Sequence, residues 1–183
     1  MTFDSPLAAY QYAIAQQGFV PDDAQCRAVQ ALQTCFEALH HGRSPIPGVY
    51  LWGPVGRGKT WLMDQFYHSL RVPARRQHFH HFMGWVHQRS FQLSGIHDPL
   101  QALARELSQD VRVLCFDELF VSDIGDAIIL GRLFQVMFEE GVVMVCTSNQ
   151  PPDELYAGGF NRERFLPGIE ALKQHMHLSL IHI

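Results

Sequence analysis

Along this chain, short unbroken apolar runs alternate with longer stretches in which apolar residues return every three or four positions. The first 44 residues carry only the second pattern. Ala24, Ala28, Ala31, Leu32, Cys35, Phe36 and Leu39 fall at helical spacing behind the start signal Pro21-Asp22-Asp23, so residues 1–44 read as a helical segment. A break bearing Gly42, Pro45 and Pro47 ends it. Gly48-Val-Tyr-Leu-Trp52 then reads as a buried strand, 59–70 as a helix and 76–82 as a second strand. Helices follow over 83–94 and 98–109, the latter opened by Asp98-Pro99. Val111 to Phe116 is a third strand, 124–140 a helix and Val142 to Thr147 a fourth strand. Residues 152–174 read as helical in two pieces broken at Gly158-Gly159, and Met176 to Ile183 as a fifth strand. Strand and helix in alternation predict an α/β fold with a central parallel sheet covered on both faces. The organisation expected is an N-terminal helical segment, 1–44, and an α/β core, 45–183.

Composition narrows the possibilities. Hydrophobic residues make up 47% and charged ones 17%, a balance that excludes an intrinsically disordered chain. The 183 residues suit about one domain. A net charge of −4 argues against nucleic-acid binding through bulk positive charge, while leaving a local basic groove open. Arg71, Arg75 and Arg76 form a small basic cluster that reads as a solvated helix exit, with a nucleic-acid contact as the lesser alternative. No run approaches the 18 apolar residues of a membrane span, and the first residues have neither a basic n-region nor an Arg-rich face. Cys26, Cys35, Cys115 and Cys146 include no C-x-x-C pair and read as packed thiols. The expected location is a reducing cytoplasm.

The chemistry begins at Gly53-Pro54-Val55-Gly56-Arg57-Gly58-Lys59-Thr60, a full match to G-x-x-x-x-G-K-[ST] between a strand and a helix. Its glycines allow backbone N–H groups to converge on phosphate oxygens at a helix N-terminus. Lys59 supplies a point charge for the β- and γ-phosphates, and the Thr60 hydroxyl is a candidate Mg²⁺ ligand. Val113-Leu-Cys-Phe-Asp117-Glu118 is the second element. Two carboxylates stand at the C-terminal end of an apolar strand, the edge where α/β sheets bind ligands. There Asp117 would hold the metal and Glu118 would polarise an attacking water, a pairing that favours hydrolysis over kinase chemistry. A third strand ends in Thr147-Ser148-Asn149, where Asn149 can reach the γ-phosphate or the water, and Thr147 and Ser148 are weaker candidates. Strand termination by turn formers is the competing explanation of that triplet.

These three elements together resemble the three-layer P-loop NTPase core of AAA+ ATPases. Further strings narrow the likeness: Leu51-Trp-Gly-Pro-Val-Gly-Arg-Gly-Lys-Thr-Trp-Leu-Met-Asp64, His78-Phe-His-His-Phe-Met83, Leu114-Cys-Phe-Asp-Glu118 with Val121-Ser-Asp-Ile124, and Thr147-Ser-Asn149 with Pro151-Pro-Asp-Glu-Leu-Tyr156. Over roughly residues 20–178 they resemble the AFG-type ATPases. The resemblance implies ATP hydrolysis with Mg²⁺ in a homo-oligomeric ring, acting on the division protein FtsZ or another division protein in a bacterium. It allows a peripheral membrane association and implies no nucleic-acid partner. Asn161-Arg-Glu-Arg-Phe-Leu-Pro167 resembles the family's arginine-finger region, with Arg164 as first choice and Arg162 as second. Members of the family continue through a helical lid, so the chain reads as truncated before it, and Leu178 to Ile183 do not resemble the family continuation. The base, in this fold, lies against the segment before the phosphate loop, which names Gln25 and Pro45-Ile46-Pro47 as candidate contacts.

Two groups of residues carry bland and sharp readings side by side. His78 and His80 share one face of the expected second strand, and His78, His80, His81 and His87 invite a zinc site, yet no Cys stands at ligand spacing. A structural or pore-side role is the preferred reading. Phe82, Met83 and Trp85 read first as core packing and second as an aromatic pore loop. Two rival functions remain: a helicase-loader ATPase of the DnaC or IstB type, and a nucleotide-dependent scaffold with little hydrolysis.

Overall fold

Most of the longer helices begin at a residue that caps them. Ser5 accepts the Ala8 N–H ahead of α1 (Pro6–Gln16), and Asp22 accepts the Ala24 N–H ahead of α2 (Asp23–His41). Asp98 opens α5 (Pro99–Asp110), and Asp123 opens α6 (Ile124–Glu139). The others are α3 (Arg57–Ser69), α4 (Phe79–Gln92) and α7 (Leu166–His175). The strands are β1 (Gly48–Trp52), β2 (Ala74–His78), β3 (Val113–Asp117), β4 (Val143–Ser148) and β5 (Met176–Leu180). This computed structural model describes residues 3–181; the ends of the expected helical segment and of the fifth strand, Met1, Thr2, His182 and Ile183, lie outside the described residues.

All strand pairs are parallel, in the order β2-β3-β4-β1-β5. Side chains alternate across the sheet with the period of two that strands impose. Tyr50, Leu114, Phe116, Met144 and Cys146 join α4, α5, α6 and α7 in one core. Val49, Leu51, Val113, Cys115, Val143 and Val145 join α1, α2 and α3 in the other. The result is the α/β/α three-layer architecture read from the sequence. Among the described residues, no helix is long and apolar enough to cross a membrane.

β2 differs from expectation. It ends at His78 rather than running over 76–82, because Phe79, Phe82, Met83 and Val86 stand at helical spacing and bury one face of α4. His78 caps that helix, its Nδ1 accepting the His80 N–H at 3.2 Å, so His78 and His80 do not share a strand face. Phe82 and Met83 are buried and Trp85 packs against them, which makes this stretch core rather than a pore loop. Residues 152–174 are not two helices. Single turns at Pro152–Glu154 and Arg162–Arg164 precede α7, with Tyr156, Gly158 and Asn161 in the left-handed region.

Candidate active site

β1 delivers the chain to a loop whose first position only glycine can fill. Gly53 has φ +155, and a Cβ there would stand 2.1 Å from the carbonyl oxygen of Ile181, whose own N–H donates to Trp52 at 2.8 Å. The exit of β5 therefore presses on the first loop residue. Pro54 and Val55 form the exposed tip, and Gly56 caps α3 without a side-chain acceptor. Arg57 and Gly58 open the helix, and no acidic residue stands in its first turn. The N–H groups of that turn are unclaimed donors at the positive end of a helix dipole, a cradle for an anion.

Lys59 is 95% buried in this cradle, with 5% of its surface exposed. Its ammonium donates to Gly53 O at 2.9 Å and to Pro54 O at 2.6 Å. Burial lowers its pKa from the ordinary 10.5 by penalising the charged form. Thr60 is exposed on the same turn.

The two carboxylates at the end of β3 are held quite differently. Asp117 accepts from Arg76 of β2 through both oxygens, Nε to Oδ2 at 2.8 Å and Nη2 to Oδ1 at 2.9 Å. Arg76 Nη1 also donates to Asp64, one helical turn past Thr60 on α3. The paired carboxylates push the guanidinium's pKa further up, against the cost of its burial. Glu118 has φ +58, and its N–H donates to Thr147 Oγ1 at 3.0 Å. Leu119 N–H donates to Thr147 O at 2.8 Å, and Ser148 Oγ donates to Leu119 O at 2.8 Å. Thr147 and Ser148, read as weak candidates for chemistry, thus fasten the turn that carries Glu118. The Glu118 side chain is exposed, and its Oε2 lies 2.7 Å from His78 Nε2.

β4 joins this edge to the phosphate loop. Gly53 N–H donates to Ser148 O at 3.2 Å, and Asn149 follows directly. Glu118, Asn149 and His78 line one cavity of about 590 Å³, with His80, Phe120 and Asp126. The loop, Asp117, Glu118 and Asn149 are therefore neighbours at the C-terminal ends of β1, β3 and β4. Of the expected metal ligands, Thr60 stands one helical turn before Asp64, and Arg76 bridges Asp64 to Asp117. Oxygen donors on the two sides of an anion cradle fit a hard cation carried by phosphate.

Arg164 does not line that cavity. It is exposed, on the turn packed against α6; its N–H donates to Asn161 O at 3.0 Å, but its guanidinium makes no hydrogen bond or ion pair among the described residues. Arg162 differs: its Nε donates to Leu155 O at 3.1 Å and its Nη2 to Asp153 O at 2.5 Å.

Of the candidate base contacts, Gln25 lines a second cavity, about 310 Å³, with Tyr10, Phe19, Gly58, Trp61 and Leu62. Pro45 and Ile46 lie instead with Arg112, Val142 and Val143, at the N-terminal ends of the strands, away from the loop. The basic cluster also disperses. Arg71 donates to Asp4 O and stacks over Phe36, and Arg75 pairs with Asp110, while Arg76 belongs to the site. Sequence reading missed Arg76 and the His78–Glu118 contact. The β2–β3 register, which sets Arg76 against Cys115 and His78 against Asp117, is what brings both to the edge.

Comparison with known proteins bears on the family and the fold. The AFG1-like ATPase family matches residues 4–182. Cell division protein ZapE of Escherichia coli (strain K12) is 43% identical over 197 aligned positions, covering 93% of this chain and 52% of that protein. Lactation elevated protein 1 homolog B of Danio rerio is 40% identical over 146 positions, covering 73% of this chain and 29% of that protein. The chain spans about half, or less, of the length of these curated relatives. Among solved structures, DnaI matches with a TM-score of 0.64 at 18% identity, covering 90% of this chain and 88% of that one. Replication initiator DnaA bound to AMPPCP and single-stranded DNA matches with a TM-score of 0.63 at 17% identity, covering 91% and 49%. Those two likenesses speak to the fold, which is that of a P-loop AAA+ core. With a family match along nearly all of its length and the phosphate loop, acidic pair and polar strand end at one sheet edge, the chain belongs to the AFG1-like ATPase family.

Proposed function

We propose that this chain binds ATP with Mg²⁺ and hydrolyses it, and that the turnover serves to remodel or regulate a protein partner in bacterial cell division, FtsZ or another division protein. One observation carries the reading. The Gly53 N–H on Ser148 O ties the phosphate loop to the strand whose Thr147 holds Glu118 and whose next residue is Asn149. The first-turn amides of α3 and Lys59 grip the phosphates. To do so Lys59 leaves the carbonyls of Gly53 and Pro54 for oxygens of higher charge. Thr60 and Asp117 would hold Mg²⁺, which supplies charge neutralisation on the phosphate oxygens. Glu118 orients and deprotonates the attacking water, and Asn149 contacts the γ-phosphate. Arg164 acts on the nucleotide of a neighbouring copy in a homo-oligomeric ring, since its guanidinium is uncommitted while that of Arg162 is spent on its own backbone. The division-protein partner is carried over from the ZapE likeness. A cytoplasmic site of action belongs to the same proposal.

Phosphate release by Glu118→Gln tests the chemistry. An ATPase loses turnover and keeps nucleotide binding; a scaffold gives the same trace with and without the substitution. FtsZ filaments and single-stranded DNA, added separately to the unmodified chain, test the partner. Stimulation by filaments alone supports the reading, and stimulation by DNA alone overturns it.

A further inference from the structure

At the edge where the metal ligands are expected, one guanidinium meets two carboxylates with all of its nitrogens. Arg76 pairs with Cys115 across β2 and β3, and Cys115 packs into the core on the α3 side, so Arg76 faces α3. From there its Nε and Nη2 donate to the two oxygens of Asp117, at 2.8 and 2.9 Å, and its Nη1 donates to Asp64. Asp64 stands one helical turn past Thr60, on the same face of α3. Carboxylates drawn together in this way suit a hard divalent ion. The cation between them belongs to the protein.

We infer that Arg76 is a resident counter-cation, which keeps Asp117 and Asp64 from taking up a free divalent ion, so that the metal enters only in company with the nucleotide's phosphates. The inference rests on the proposed metal site at Thr60 and Asp117. Charge is the first reason. One guanidinium leaves the two carboxylates half of the negative charge that a divalent ion would otherwise meet. It also repels that ion directly. At ~6 Å the repulsion is about tenfold in affinity even with the dielectric of water, and well beyond tenfold at an effective value of ~20. Geometry is the second reason. The fork engages one lone pair on each Asp117 oxygen and leaves the other free. Asp117 can therefore accept a metal, or its water, without releasing Arg76, once phosphate oxygens supply the missing negative charge. Arg76 also aims the carboxylate, as outer partners of metal ligands do, an effect of about 10–100-fold. The two effects oppose each other when Arg76 is removed. Charge dominates here, because both side chains are largely shielded from water.

Retention of Mn²⁺ by the full chain in ultrafiltration tests this without nucleotide, so the readout is independent of turnover. Arg76→Gln should bind Mn²⁺ at least ~10-fold more tightly than the unmodified chain. Arg76→Lys, which keeps the charge and loses the fork, should stay within about 3-fold of it. Adding Asp117→Asn to Arg76→Gln should abolish the gain, which locates it at that carboxylate. A merely structural Arg76 would leave Mn²⁺ affinity equal in all folded variants, and that result overturns the inference. So does a gain in Arg76→Lys equal to that in Arg76→Gln, or a gain that survives Asp117→Asn. Should Arg76→Gln not fold, the unmodified chain decides. Without ATP it should retain no more Mn²⁺ than Asp117→Asn does, and with ATP it should retain more. Retention at Asp117 without ATP overturns the role of Arg76 and leaves the ATPase reading intact. No difference between the two chains even with ATP removes the proposed metal site, and the inference with it.

Discussion

Arg76 grips Asp117 with two parallel hydrogen bonds, from Nε and from Nη2, and extends its remaining nitrogen to Asp64. One guanidinium on an edge strand therefore bridges the helix behind the phosphate loop and the strand end that carries the acidic pair. The pair is three-quarters or more shielded, with 18% of the Arg76 and 24% of the Asp117 side chain exposed. At that depth a charge left alone is expensive. Arg76→Gln should cost about 2 kcal/mol, less than the loss of a fully buried pair. Arg76→Lys should recover only part of it, because an ammonium cannot fork across both carboxylate oxygens. The pairing itself is measured by a double-mutant cycle with Asp117→Asn in chemical denaturation. A coupling of ~1 kcal/mol or more is expected. Additive losses would mean that the contact contributes nothing.

Lys59 sets a different balance, since the buried ammonium costs stability until a phosphate arrives. Lys59→Met should remove nucleotide binding without unfolding the chain. For the unmodified chain, ATP at a hundred times its dissociation constant should add ~2.7 kcal/mol, a rise of roughly 5–10 °C in melting temperature. The variant should show no rise. The sign of the pH effect follows from the lowered pKa. The folded state holds the proton less firmly than the unfolded one. Stability therefore increases with pH between the folded value and the ordinary 10.5, and this increment is missing in Lys59→Met. A variant that melts well below the unmodified empty chain at pH 7 would contradict the assignment of burial cost.

How much of this could be read from residues alone follows from where each signal is local. β1, β3 and β4 are buried on both faces, so Val49-Tyr-Leu51, Val113 to Phe116 and Val143 to Cys146 appear as apolar runs that little else resembles. The phosphate loop is a contiguous string, and the acidic pair adjoins such a run. β2 sits at the sheet edge with Arg75, Arg76 and Gln77, and its polar pattern hid it behind the apolar residues of α4. The turns over 152–164 depend on left-handed backbone at Tyr156 and Asn161, which no spacing announces. Arg76 on Asp117 and Thr147 under Glu118 join residues 41 and 29 positions apart. Those contacts exist only once strand order and register are set.

Thr147 shows what such a contact does. Its hydroxyl accepts the Glu118 N–H while its carbonyl accepts the Leu119 N–H, so one buried residue fixes both ends of the turn. Thr147→Val keeps the shape and removes the first bond. The loss in stability should be about 1–2 kcal/mol. Turnover should fall by ~10-fold or more as Glu118 loses its aim, with ATP affinity unchanged. Thr147→Ser, which restores the hydroxyl, should restore the rate. A fall in affinity equal to the fall in rate would place Thr147 in binding instead.

The segment bearing Arg164 rests on glycine. A Cβ on Gly131 of α6 would stand 2.2 Å from Arg164 O, and one on Gly168 of α7 would stand 2.7 Å from Leu130 O. Neither helix backbone can come this close to its neighbour with a side chain in between. Gly131→Ala should therefore push the Arg162–Arg164 turn outward and cost roughly 1–3 kcal/mol as overpacking. The two arginines then separate by what they bond. Arg162→Ala strips donors from Leu155 O and Asp153 O and should lower stability by about 1 kcal/mol. Arg164→Ala removes an exposed, uncommitted guanidinium and should leave the melting temperature within about 1 °C, as surface changes do. Its effect should appear only in turnover by assembled copies. Mixing Arg164→Ala with Glu118→Gln should regain activity, because some interfaces then combine an intact Glu118 with an intact Arg164 from the neighbouring copy. Activity that is lost in both variants and never returns on mixing would put Arg164 in its own subunit's site or outside the reaction altogether.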